Sequence, residues 1–340
     1  MNDNLEDRVE ESEEVKRRLQ IDKSKDVITQ KLLESLRESN PFFGPEGPCG
    51  SVQLVPYPDK YFVAQEFNAN RDDLRESIED ALTRFGCTSI GAGDQYLSEP
   101  ILCKIAALIQ STPFGVYQLT KSQNRNIYLE LGIAIGFGRS FILVKERDAE
   151  PARIVQDIEY YPIDTYLDVR YKLGDLLESY MPSIGESQFK RIYPATSNKE
   201  VVIYHGDAES IDVTIVVAKE IKKLGFIPVV LGKFQENLAK YLKSEVDIEP
   251  KFFESRNQIL EAIQSSKFGV FRVHKSASAD NFVALGFSIG LNKQFLPIKH
   301  LGEDVPSDLS YLPTIDYSGY TELRRRLDLQ LQSWLDGLEA

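Results

Sequence analysis

Histidine, cysteine, long apolar runs and positive charge are all scarce in this chain, and each scarcity removes a class of function. The three histidines, His205, His274 and His300, are scattered, with no Cys/His cluster. A structural zinc site is therefore not expected, and each histidine reads as a surface or loop residue rather than a ligand or base. Three cysteines, Cys49, Cys87 and Cys103, form no CxxC pair and cannot all pair as disulfides. That suits a reducing cytosol, so the expected location is cytoplasmic. No uninterrupted apolar run approaches the ~18–20 residues of a membrane span. The start, Met1-Asn2-Asp3-Asn4-Leu5-Glu6-Asp7, is too acidic and polar for a signal peptide. A net charge of −12 and a pI near 5.0 argue against direct nucleic-acid binding, which needs a basic stripe. The expectations are thus no metal, no membrane and no direct nucleic acid.

What is present is ordinary globular sequence. The chain has 340 residues, 42% of them hydrophobic and 10% aromatic, enough for two domains with normal cores plus extensions. Residues 1–40 are highly charged, and Ile28, Leu32, Leu33 and Leu36 lie at helical spacing. They predict a charged N-terminal helix, read as largely solvated, with a docking role as the sharper alternative. Residues 41–59 carry Pro41, Gly44, Pro45, Gly47, Pro48, Gly50, Pro56 and Pro58, the composition of a linker. From Lys60 onward, short apolar runs such as Tyr61-Phe62-Val63-Ala64, Cys87-Thr88-Ser89-Ile90, Phe114-Gly115-Val116-Tyr117 and Phe141-Ile142-Leu143-Val144 alternate with amphipathic stretches. That alternation predicts βαβ units and a parallel sheet over 60–182. A second linker is read at 183–199. The pattern then restarts at Val201 and continues through 200–340.

The restart is an internal repeat. Ile105, Ile109, Gln110, Ser111, Phe114, Gly115 and Val116 recur as Ile259, Ile263, Gln264, Ser265, Phe268, Gly269 and Val270. Leu131, Gly132, Ile135 and Gly136 recur as Leu285, Gly286, Ile289 and Gly290, and Lys145 recurs as Lys299. Every pair lies 154 positions apart, so no gap interrupts some forty residues. The earlier Gly86/Gly225 pair lies 139 apart, which places about fifteen extra residues of the second copy near 232–250. The chain is read as tandem copies of one α/β domain.

One stretch concentrates the chemistry, Asn124 to Gly138. Asn126 is read as the N-cap of a helix and Gly138 as its C′ residue. Gly132 and Gly136 each cost about 1 kcal/mol of helix propensity, which implies a close backbone approach, read first as tight helix–sheet packing. Glu130 is the lone carboxylate of that helix and is matched in the second copy by Ala284. It follows the end of a parallel strand, the side where ligands of open α/β sheets bind, near a helix start that favours its ionised form by ~0.3–1 kcal/mol.

The strand followed by Asn-x-x-x-Glu-Leu-Gly-x-x-x-Gly resembles the nucleoside 2-deoxyribosyltransferase family and the related TIR-like domains of bacterial antiviral effectors. The resemblance covers residues 60–145 well and 200–300 more weakly. It implies two tandem flavodoxin-like (TIR-like) domains with parallel sheets and a catalytic Glu130 acting at the anomeric carbon of a ribosyl group. Asn126, four residues earlier on the same helix face, would then bond a ribose hydroxyl. Gln65 and Phe67 at the end of the first strand would hold the base or pyrophosphate. Gln118 stands where the family often carries an acidic residue, and Asp94 is a candidate second carboxylate. The implied activity is hydrolysis of the N-glycosidic bond of NAD or a related nucleotide in a defence setting. The second copy would be regulatory, no cofactor would be needed, and a homo-oligomer or another defence protein would be the partner. Two other readings stay open, a nucleotide-sensing module without catalysis and a scaffold that binds no small molecule.

Overall fold

A computed structural model describes residues 23, 25–36, 41–43, 49–50, 52–66, 71–94, 100–180, 199–205, 211–232, 236–248, 256–310 and 312–339. The charged first residues, Phe67 and the linker at 183–198 lie outside the described residues.

The strands are Val-, Ile- and Phe-rich and buried along most of their length, as parallel strands covered on both faces must be. The first copy contains β1 (Lys60–Ala64), β2 (Thr88–Ile90), β3 (Phe114–Leu119), β4 (Ser140–Glu146) and β5 (Tyr160–Ile163). They form one parallel sheet in the order β2-β1-β3-β4-β5. The second copy contains β6 (Glu200–His205), β7 (Ile227–Gly232), β8 (Phe268–Arg272), β9 (Gln294–His300) and β10 (Ile315–Tyr317). These pair in the equivalent order, β7-β6-β8-β9-β10. The registers agree as well. Phe62 lies opposite Gly115 in one sheet, and Val202 opposite Gly269 in the other. Both sheets thus follow the doubly wound, flavodoxin-like order, with a switch point where the chain leaves the first strand of each copy.

Residues 25–36 form α1, whose Ile28 joins the core of the first copy with Leu82 and Phe85 and whose Leu32 is buried, while Leu33 stays exposed. This part of the N-terminal helix is docked rather than solvated. The remaining helices are α2 (Arg71–Thr83), α3 (Ile101–Ser111), α4 (Arg125–Gly136), α5 (Tyr166–Tyr180), α6 (Ile211–Lys223), α7 (Glu236–Tyr241), α8 (Arg256–Ser265), α9 (Ala279–Gly290) and α10 (Tyr320–Glu339). The extra residues of the second copy are α7 and the single wide turn Leu242–Val246 that continues it.

The two copies meet through α4 and α9, and the glycines explain how. A Cβ on Gly132 would strike the backbone of Val283 and Phe287, and one on Gly286 would strike the backbone of Leu129 and Ile133. The contacts are reciprocal at the 154-residue offset, so the copies are related as the halves of an isologous pair. Gly136 and Gly290 face each other in the same way, a Cβ on the first lying 2.7 Å from the Cα of the second. The expectation of helix–sheet packing is therefore corrected. These glycines let two helix backbones touch across the repeat. One hydrophobic cluster, holding Leu129, Ile133 and Tyr117 with Val283, Phe287 and Phe271, runs through both copies.

The cysteines also depart from expectation. Cys49 and Cys103 are bonded to each other with a Cα–Cα distance of 5.4 Å, and Cys87 is free and buried. The bond ties the stretch around the buried Phe42 and Cys49 to α3. A bond spanning 54 residues restricts the unfolded chain, and its loss is worth about 4 kcal/mol. Cys49→Ser is expected to lower the urea midpoint accordingly, and reductant should produce the same loss in the parent protein. Equal midpoints with and without reductant would show that the bond contributes nothing.

Candidate active site at the junction of the two copies

The site is built outward from the N-terminal half of α4. Asn124, not Asn126, caps the helix, its Oδ1 accepting from the Asn126 backbone N–H at 3.0 Å. The cap lies two residues earlier because Asn126 is already helical and its side chain is used elsewhere. Gly138 takes φ +66°, as the C′ position requires. This start places Glu130 on the helix face turned towards the carboxyl ends of β1 and β3.

There it lines a cavity of about 360 Å³. The floor is Phe62 to Gln65 of β1 and its exit, one wall is Gly91 and Ala92 after β2, and another is Ile101, Lys104 and Ile105 of α3. Asn124, Asn126, Ile127 and Glu130 of α4 form the third wall. The fourth comes from the second copy, Ser307 and Asp308 on the helical turn Ser307–Leu309 that follows β9. Asn126 Nδ2 donates to Ser307 Oγ at 3.0 Å and so ties the two copies together at the rim. The Asn126 Oδ1 is buried and has no hydrogen-bond partner among the described residues.

Two carboxyl groups dominate the electrostatics. Glu130 is 8% exposed and accepts no hydrogen bond from the described residues. Burial pushes its carboxyl well above the ordinary range, and the nearby Asp308 charge pushes it further. Desolvation thus outweighs the helix dipole, whose effect is ~0.3–1 kcal/mol and fades after the first turn. Asp308 is 4% exposed, and burial raises it to about 6, a shift restrained by the Ser307 hydroxyl that donates to its Oδ1 at 3.1 Å. Beneath Glu130, the buried Tyr117 phenol is raised by burial and by the Glu130 charge. The cavity thus holds two carboxyl groups that burial pushes towards their neutral forms.

Three of the residues singled out in the sequence, Glu130, Asn126 and Gln65, line this cavity. Gln118 is buried at the end of β3 and spans the sheet edge, its Nε2 donating to Glu146 Oε1 and its Oε1 accepting from the Glu66 backbone, both at 3.4 Å. Asp94 is committed at the rim. Its carboxylate pairs with Arg75 at 2.8 Å and accepts the Gly91 N–H at 2.7 Å. The second carboxyl lining the cavity with Glu130 is that of Asp308 instead. Sequence reasoning missed Asp308, Ser307 and Lys104. The signal for Asp308 was available in the repeat, because its counterpart at the 154-residue offset is Ile154. His274 is buried rather than superficial, with its Nδ1 2.7 Å from Ser276 Oγ. Among the described residues no group of three metal-ligating side chains occurs, and no helix is long and apolar enough to cross a membrane.

No protein-family profile and no curated protein matches this chain. Among solved structures, a ketoreductase domain from the bacillaene assembly line is similar at 10% identity and a TM-score of 0.25, covering 83% of this chain and 92% of that one. A mitochondrial ornithine carbamoyltransferase from Coccidioides immitis is similar at 9% identity and a TM-score of 0.23, covering 92% and 93%. Scores this low establish no correspondence of fold or site.

Proposed function

We propose that this chain hydrolyses the N-glycosidic bond of NAD or a related nucleotide, with Glu130 as a catalytic carboxylate. The observation that carries the reading is the state of Glu130. It is a nearly buried carboxyl, without a hydrogen-bond partner among the described residues, lining a cavity at the carboxyl ends of parallel strands. A carboxyl is left in that costly condition when a ligand completes its bonding. The cavity volume falls at the lower end of small-molecule sites, enough to enclose a ribosyl group and its base. Asn126, with a free buried oxygen, is placed to accept from a ribose hydroxyl, and Lys104 is the cation available to a phosphate.

The reaction asks little else of the protein. The bond between the anomeric carbon and the base nitrogen breaks, and its electron pair leaves with the base. A water oxygen bonds to that carbon and loses a proton. Positive charge on the ring in the transition state is stabilised by a carboxylate held in a low-dielectric pocket. The defence role, the regulatory second copy, self-association and a partner in a defence system follow from the sequence resemblance, and with the cytoplasmic setting expected from the cysteine pattern they are part of the same proposal.

Glu130→Gln in the full chain is expected to reduce release of nicotinamide from NAD, or of free base from nucleosides, by a hundredfold or more. Turnover that survives the substitution removes Glu130 from the chemistry. A second reading, binding without turnover, is favoured by one observation, the raised Glu130 carboxyl, which keeps its proton and donates to a ligand hydroxyl instead of attacking. Thermal stabilisation by nucleotide without product release would support that reading.

A further inference from the structure

We infer that Asp308, carried by the second copy, is the second catalytic carboxylate of the Glu130 site, so that the working site is divided between the two repeats. The inference rests on the hydrolase reading above.

The turn that holds Asp308 is firmly placed. Pro306 precedes it in extended conformation, the buried Leu309 anchors it in the shared core, and the Asn126–Ser307 hydrogen bond fixes its distance from α4. Asp308 lies between these anchors with its carboxyl on the cavity wall.

The duplication supplies an internal control. The reciprocal contact of the two copies generates a second, symmetry-related location, where α9 meets the turn Arg153–Val155 after β4. At that location Glu130 is replaced by Ala284 and Asp308 by Ile154. Asn126 is replaced by Asp280, which accepts the Ile154 backbone N–H at 2.9 Å and lies in the field of Arg153. One junction is thus a pinned structural contact, and the other is a cavity with two carboxyl groups. If the position of Asp308 served packing alone, the apolar side chain of its counterpart would suffice. Both carboxylates occur in one site and both are missing from the other, although they belong to different copies. Their shared distribution ties Asp308 to Glu130.

The second, independent observation is Glu130 itself, more than nine-tenths buried and without a hydrogen-bond partner among the described residues. The ionisable groups around it are Asp308 from the turn, Tyr117 from β3 and Lys104 from α3, with Asn126 on its own helix. Within this set Glu130, raised by burial and by the Asp308 charge, is assigned the proton, and Asp308, raised to about 6, is assigned the ionised role. The step balances with these two groups and water. With a nucleoside, Glu130 gives its proton to a ring nitrogen of the departing base as the bond to the anomeric carbon breaks; with NAD, nicotinamide takes the electron pair and leaves as a neutral molecule without that proton. Asp308 takes a proton from the water whose oxygen bonds to that carbon. With a nucleoside, transfer of this proton from Asp308 to Glu130 restores the starting state; with NAD, Asp308 releases it to solvent.

The test uses the full chain as wild type, Glu130→Gln and Asp308→Asn. Release of free base from adenosine and of nicotinamide from NAD is followed, and the Glu130 carboxyl is titrated by carbon-13 NMR. Asp308→Asn is expected to lower kcat for base release a hundredfold or more with KM changed less than about fivefold. It should also move the Glu130 titration to lower pH, because a neighbouring negative charge has gone. Retained turnover in Asp308→Asn alongside a dead Glu130→Gln overturns the role of Asp308 and leaves the hydrolase reading standing. No turnover by the wild type on either substrate overturns the hydrolase reading. The NMR titration then decides the pairing, and an unmoved Glu130 in Asp308→Asn overturns that as well.

Discussion

Gly286→Leu is expected to destabilise the protein by more than ~4 kcal/mol, read as a fall in the urea midpoint. The first carbon of any side chain at this position would strike the Leu129 carbonyl and crowd Ile133 and Gly132 of the facing helix. Those are backbone atoms of a packed helix, and no rotamer change can remove them. Relief requires α4 and α9 to separate, which opens the single hydrophobic cluster that joins the two copies. Overpacking usually costs 1–3 kcal/mol because neighbouring side chains give way, and here the obstacle cannot. Gly319→Ala is the matched control. A Cβ there has open space around it, so its effect should stay within about 0.5 kcal/mol. Double replacement of Gly132 and Gly286 should cost less than the sum of the two single losses, because the residues obstruct one another. A loss below ~1 kcal/mol for Gly286→Leu would show that the two helices part freely.

The second large effect is on pH dependence. Stability at pH 8 is expected to fall below that at pH 5 by more than ~1 kcal/mol. Both cavity carboxyls bind their protons more tightly in the folded protein than in the unfolded chain. Their contribution is therefore complete below about pH 4 and is lost as the pH rises through the folded values. For Asp308, raised from 3.8 to about 6, the loss runs between those values and amounts to about 3 kcal/mol. Glu130, raised well above the ordinary range by burial and by the Asp308 charge, acts in the same direction. Asp280, also raised by burial, acts in the same direction. Glu322 is held near 2 by the Ser318 and Arg326 contacts, so it titrates below this window. Asp308→Asn should flatten the decline and make the protein more stable than wild type at pH 8, while reducing turnover. Urea unfolding at several pH values measures both effects. Stability that stays constant or rises between pH 5 and 8 would show that the two carboxyls are solvated.

The fold was legible because it is written in local signals. Short β-branched runs, Gly at C′ positions such as Gly86 and Gly225, and the fixed 154-residue offset all act within a few residues or through exact repetition. Half of the site was legible for the same reason, since Glu130 stands alone on a helix whose other residues are small or apolar. The other half depends on how two domains dock. Asp308 lies 178 residues from Glu130 in the chain, and the docking of α4 on α9, with the Asn126–Ser307 hydrogen bond, brings its turn to the cavity. The glycines announced a close approach, but a helix cannot show in its own sequence whether its neighbour is a sheet, a ligand or a second helix. The Cys49–Cys103 bond was hidden likewise, because no short spacing marks a pairing set by tertiary structure. Asn126 was misplaced by one helical half-turn because either asparagine could cap, and the choice was made by the hydrogen bond from Asn126 to Ser307.

The reciprocal glycine contact has a consequence for how the two halves could diverge. In a dimer of identical chains, every substitution appears on both sides of the axis, so a change that suits one junction is imposed on the other. Joining the two halves in one polypeptide removes that constraint. One junction can then become a rigid hinge pin, with Ile154 held by Asp280, while the other keeps a hollow with two carboxyl groups. Among the described residues the arrangement gives the two junctions different linings although both are built from copies of the same fold.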